Sequence, residues 1–127
     1  MRLDPFVSVD GTPFTVSREE LVKAFGPPLR QTRNAVALDE FDYGDKVFRF
    51  QDSGRLEEVT TRVSVLHLGP LAIPFGAIEP FVRSHDPSMF ERAGFIVSPR
   101  FGLAFSPPGG CWVTALAAHC LDEWRSL

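Results

Sequence analysis

Cys111, His119 and Asp122 are the residues whose types could supply a nucleophile, a base and a carboxylate to orient that base. Nucleophilic catalysis of this kind needs the three side chains in hydrogen-bond reach of one another, with the thiol in an electropositive setting. No nucleophile elbow and no cysteine-enzyme signature surrounds them. Cys111 precedes Trp112 and Val113 in a strand-like run, so it reads as a buried, inert thiol. The histidines are His67, His85 and His119, and none is spaced with a second ligand in a metal-binding pattern. His85, next to Asp86, reads as a helix-terminal residue at the negative end of a helix dipole. Pro107-Pro108-Gly109-Gly110 is a turn and lacks the spacing of a phosphate-binding loop. The sequence therefore predicts no catalytic residue, no cofactor and no metal.

The densest charge lies in Asp39-Glu40-Phe41-Asp42-Tyr43-Gly44-Asp45. Its spacing is not that of a calcium loop. Two readings stay open. One is a solvated strand edge, protected by charge against edge-to-edge pairing. The other is a docking surface for a basic protein partner, with Asp39, Glu40, Asp42 and Asp45 steering encounter and Tyr43 as the aromatic anchor.

Elements must position these groups, and local signals mark several of them. Asp10-Gly11 between Phe6–Val9 and Thr12–Val16 predicts a hairpin, with Pro13 confining the second arm to an edge. Ser17 with Glu20 makes a capping box, and Gly26-Pro27-Pro28 ends the helix that it starts. Leu21, Val22 and Phe25 form the apolar face of this helix, and Phe25 is expected in the core. Residues 29–39 read as a loop. Strands are expected over 40–43, 46–51, 55–61 and 63–68, separated by turns at Gly44-Asp45 and Asp52-Ser53-Gly54. Leu56-Glu57-Glu58-Val59 keeps only part of a strand's alternation. In the second half, 75–83 carries helical periodicity, with Pro80 tolerable only in a first turn. Strand-like runs follow at 94–97, 102–105 and 111–116, and a terminal helix is expected from Ala117 to Trp124, with Trp124 partly exposed.

The order helix, loop, strands is thus met twice. The expected fold is α+β, a single domain over 1–127 with repeat-like halves of about 1–68 and 71–127. Each half is a helix-plus-β-meander unit, and the antiparallel sheet carries its helices on one face.

The 127 residues are 44% hydrophobic and 23% charged, with twelve Phe, which suits a globular chain that can bury a core. The net charge of −3 and the lack of a basic stretch argue against nucleic acid as a partner. No apolar run approaches the roughly 20 residues that span a bilayer. No charged-then-apolar export pattern opens the chain, so it is expected in the cytoplasm, without a membrane partner. Two cysteines nine positions apart do not make a zinc site or a disulfide framework.

Ser17-Arg18-Glu19-Glu20-Leu21-Val22 with Phe25-Gly26-Pro27-Pro28 resembles the opening of tandem-repeat proteins with a fold like the β-lactamase inhibitor protein. The outer-membrane-assembly lipoproteins of the SmpA/OmlA type use a single such unit. Tyr43 to Phe50 with Gly54 to Val59 is similar to the strand–turn–strand that follows, and Phe101 to Phe105 with Trp112-Val113 to its second copy. The resemblance implies a small binding protein without enzymatic activity. Stand-alone cytoplasmic bacterial members are often immunity proteins that block a toxin, so the implied partner is a toxin domain occluded at its active site. A regulatory or assembly module binding a housekeeping protein is the alternative. An enzyme or small-ligand carrier is the third class.

Overall fold

The computed structural model describes residues 1–126. In chain order the strands are β1 (Arg2–Asp4), β2 (Ser8–Val9), β3 (Thr12–Pro13), β4 (Arg30–Arg33), β5 (Asp39–Asp42), β6 (Lys46–Phe50), β7 (Leu56–Arg62), β8 (Val65–Leu68), β9 (Leu71–Pro74), β10 (Phe90–Arg92), β11 (Phe95–Ser98), β12 (Leu103–Phe105) and β13 (Trp112–Leu116). Helix α1 is Arg18–Phe25, α2 is Phe75–His85 and α3 is Cys120–Arg125. Eight strands make one antiparallel sheet in the order β10-β11-β12-β13-β7-β6-β5-β4. Five make a smaller sheet, β3-β2-β1-β8-β9, in which β1 and β8 run parallel. The fold is α+β, with mostly antiparallel strands.

Local chemistry sets the first elements. The Asp10-Gly11 turn joins β2 to β3, with Val9 opposite Thr12, and Pro13 lies on an edge strand. At α1 the Ser17 hydroxyl accepts from the Glu20 N–H at 3.1 Å and the Glu20 carboxylate accepts from the Ser17 N–H at 3.0 Å. Two otherwise orphaned donors are satisfied, and a cap of this kind stabilises by about 1 kcal/mol. Gly26 closes the helix at φ +79°, where a side chain would be strained.

Four sequence expectations are corrected. Residues 30–33 are strand β4, because this polar stretch pairs with β5 at the sheet edge and needs no apolar face there. The run 63–68 does not extend the meander: β8 leaves the large sheet and pairs with β1 and β9. Phe25 is 49% exposed. It lies on the flank of α1, with its ring 5.8 Å from Tyr43 and 5.9 Å from Phe48, while Leu21 takes the fully buried position. Pro80 sits in the second turn of α2. Its missing N–H and its ring against the Gly76 carbonyl cost about 3 kcal/mol. Burial of Ile78 and Val82, at about 1.5–3 kcal/mol each, offsets this.

The main core lies between the two sheets. Phe48, Phe50, Val59, Leu103, Phe105 and Val113 come from the inner face of the large sheet, Leu3, Val9 and Leu66 from the small sheet, and Leu21, Ile78 and Val82 from α1 and α2. A second cluster of Val97, Ala104, Leu116 and Cys120, flanked by Phe95 and Trp124, packs α3 on the opposite, outer face. The two helices expected on one side of the sheet, near 18–25 and 77–83, are α1 and α2, which both pack into the main core, and α3 packs into the second cluster. Buried Asp86 locks the end of α2. Its carboxylate accepts from the Ser88 and Ser98 hydroxyls and from the Ser88 and Arg100 N–H groups.

Candidate functional site

Strand alternation sends every second residue of the large sheet away from the core. Register places Glu40 opposite Arg49, Arg49 opposite Glu58, and Thr60 opposite Thr114. These side chains occupy the outer face, which α3 covers only at one side. The uncovered part holds a groove of about 410 Å³, floored by Arg49, Glu58, Thr60 and Thr114 and walled by Phe95, Trp112 and Trp124.

The floor is a connected polar network. Arg49 donates to Glu40 Oε2 at 2.6 Å and to Thr60 Oγ1 at 2.6 Å, and reaches Glu58 Oε1 at 3.4 Å. The Thr60 and Thr114 hydroxyls are hydrogen-bonded to each other at 2.8 Å. Trp124 Nε1 donates to Glu58 Oε2 at 3.3 Å, and its ring meets Phe95 edge-on at 5.4 Å. The Arg62 guanidinium lies over the Trp112 ring at 5.1 Å. The face thus sets aromatic side chains beside charges held in fixed geometry.

Alternation divides the five acidic-segment residues. Asp39 turns to the α1 side, accepting from Arg18 at 2.8 Å, with Arg33 at 3.4 Å. Tyr43 turns the same way; its hydroxyl donates to the Gly26 carbonyl at 2.9 Å, and burial raises the phenol's pKa. Glu40 and Asp42 face outward, Glu40 bound to Arg49 and Asp42 accepting from the Gly44 N–H at 2.7 Å. Asp45, in the β5–β6 turn, stands 3.7 Å from Arg62 and is largely exposed. Glu40, Asp42 and Asp45 therefore border the outer face, and Asp39 and Tyr43 are bonded on its reverse.

Cys111, His119 and Asp122 are not brought together. Cys111 precedes β13, and His119 and Asp122 follow it, about 17 Å away along five strand residues. Cys111 is exposed, against expectation, because it lies outside β13's paired residues; Cys120 is the buried thiol. His119 Nε2 is buried without a hydrogen-bond partner among the described residues, and burial, then the nearby Arg55, lower its pKa. His85 ends α2, with Nδ1 2.9 Å from the Phe81 carbonyl oxygen and its ring stacked on Phe81.

A second polar site lies beside the groove and was not read from the sequence. The pairing of β6 with β7 slips so that Arg49 opposes Glu58 and Phe50 opposes Leu56, leaving Glu57 without a partner residue. A bulge re-aims side chains and breaks strict alternation. Here Glu57 and Glu58 line one cavity of about 130 Å³ with Cys120, Glu123 and Trp124. Glu57 is 1% exposed, and neither of its carboxylate oxygens has a hydrogen-bond donor among the described residues. Burial, then Glu123 and Glu58, push its pKa up to about 7. Burial and the same carboxylates raise the Cys120 thiol. The broken alternation of Leu56-Glu57-Glu58-Val59 was the one sequence signal of this bulge.

Among the described residues, no helix is long and apolar enough to cross a membrane. No protein-family model, curated protein or solved structure matches the chain.

Proposed function

We propose that the protein is a non-enzymatic, cytoplasmic binding protein that holds a basic segment of a protein partner on the outer face of its large sheet. The partner is a toxin domain, inhibited by having its active cleft covered. The observation that carries this reading is the open groove in which Trp112, Trp124 and Phe95 flank the Arg49–Glu58–Thr60 network. Tryptophan and arginine are enriched among interface hot spots. Glu40, Asp42 and Asp45 on its border add negative charge that speeds capture of a basic cleft.

The sheet order supports the tandem-unit reading behind the proposal. A four-stranded meander β4–β7 follows α1, a four-stranded meander β10–β13 follows α2, and the two join through their last strands. Read as two copies of one unit, they span about 18–62 and 75–116, with the smaller sheet covering the inner face.

The test is capture from a lysate of the source organism expressing its toxins, followed by an activity assay of the captured protein. Trp112→Ala should weaken binding at least about 30-fold, the effect of losing a 2 kcal/mol anchor. Asp42→Lys with Asp45→Lys should slow association and weaken its salt dependence. Glu19→Lys, on α1, should change neither. A partner that binds Trp112→Ala as well as wild type removes the groove from the interface. A captured partner that stays fully active when bound overturns inhibition.

A further inference from the structure

We propose that Glu57, Cys120 and Glu123 form a divalent-metal site of the zinc class that clamps α3 to the bulge in β7. One carboxylate oxygen of Glu57, Cys120 Sγ and one carboxylate oxygen of Glu123 all lie within 4.8 Å of one another. Two structural causes bring them together. The bulge turns Glu57 out of the strand's alternation and into the cavity under α3. Cys120 is the first residue of α3 and buried, and Glu123 lies one turn on, so the two share a face of the helix.

The independent sign of a ligand is Glu57 itself. A carboxylate that is 1% exposed, with both oxygens lacking a donor, is costly to bury unless something pairs it. The neighbouring Glu123 carboxylate can bond it only by sharing a proton. No arginine or lysine of the described residues bonds to Glu57; Arg49, bonded to the adjacent Glu58, is also committed to Glu40 and Thr60. A dication supplies the missing charge to both carboxylates at once.

The donor set selects the metal. Magnesium and calcium take oxygen ligands and would leave the thiol unused. Zinc accepts thiolate and carboxylate in one tetrahedral site. Zinc bonds of about 2.0–2.3 Å put ligand atoms about 3.5 Å apart, so the three groups must draw in by about an ångström. Glu123, exposed on the first turn of α3, is free to make that move. On coordination the Cys120 thiol loses its proton to solvent and binds as thiolate. A water fills the remaining position of the tetrahedron, and Glu58 Oε2, 3.6 Å from Cys120 Sγ and bonded to Trp124 Nε1, stays outside the three-residue set. The site does not depend on the proposed partner. It does hold α3 in place, and with it Trp124, one wall of the groove.

The experiment uses the full chain, stripped with a chelator and then titrated with Zn²⁺ against a chromogenic competitor, and in parallel with Co²⁺. The expected result is one ion per chain, a raised melting temperature, and the thiolate-to-cobalt absorption of a tetrahedral site. Cys120→Ser should abolish that absorption and Cys111→Ser should keep it. Glu123→Gln, an exposed change that leaves the fold intact, and Glu57→Gln, which removes an unpaired charge, should each weaken zinc by more than the roughly 10- to 100-fold that even an outer-shell substitution costs. Failure to bind zinc at micromolar concentration overturns the proposal. So does a cobalt–thiolate band that survives Cys120→Ser, or glutamine variants that bind as tightly as wild type.

Discussion

The hydroxyls of Thr60 and Thr114, 54 positions apart in the chain, meet at 2.8 Å across the β7–β13 pairing, where the two four-stranded meanders join. The bond sits at the centre of the seam, and Thr60 Oγ1 also accepts from Arg49. Thr60→Val leaves both Arg49 and Thr114 short of a partner and should cost about 1–3 kcal/mol. Thr114→Val breaks one neutral bond and should cost about 1 kcal/mol. In a double-mutant cycle by urea denaturation the two losses should fall short of additivity, because they share the bond. Strict additivity would mean that the hydroxyls do not interact.

Phe25→Ala should be mild. With half its surface in solvent, Phe25 forgoes part of the burial energy, although its ring meets Tyr43 and Phe48. A loss of about 1–2 kcal/mol is expected, against about 3–5 kcal/mol for Phe48→Ala at a fully buried site. Equal losses for the two variants would place Phe25 in the core after all.

Asp86→Ala should be severe for a single carboxylate. It strands the Ser98 hydroxyl and the Arg100 N–H in a buried corner, costing about 2–4 kcal/mol. Burial alone would raise the Asp86 pKa, but the hydrogen bonds from Ser88, Ser98 and Arg100 hold it below the ordinary value. A depressed folded pKa contributes stability that is complete above the unfolded pKa and is lost as pH falls through the folded one. Wild type should therefore lose stability on acidification below about pH 4 more steeply than Asp86→Asn. Parallel acid-denaturation curves would remove Asp86 as a cause.

Glu57 works in the opposite sense. In the metal-free protein its folded pKa, about 7, lies above the unfolded value of 4.5. Between those values the folded state holds a proton that the unfolded state has released, so stability falls as pH rises through the window. The full shift corresponds to about 3–4 kcal/mol. Chelated wild type should melt higher at pH 5 than at pH 8, and Glu57→Gln should flatten that slope and raise the melting temperature at pH 8. A slope unchanged in Glu57→Gln would assign it to other groups.

What the sequence alone determined about this chain lies within a few residues of each signal. The start and end of α1 follow from Ser17, Glu20 and Gly26, and the first hairpin from Asp10-Gly11, because a capping box and a two-residue turn are closed by neighbouring backbone groups. The broken alternation at Glu57-Glu58 was visible, but its meaning was not. Only the tertiary structure decided that β8 leaves the large sheet for β1, and that β7 pairs with β13. It likewise decided that Phe25 stays half in solvent, that Asp39 and Tyr43 turn from the face that carries Glu40 and Asp42, and that Glu57 enters a cavity with Cys120 and Glu123. Each of these depends on which distant strand lies alongside. A one-residue slip of register moves every side chain of a strand to the opposite face, and that register is set by packing between segments as far apart as Thr60 and Thr114, where no local signal reaches.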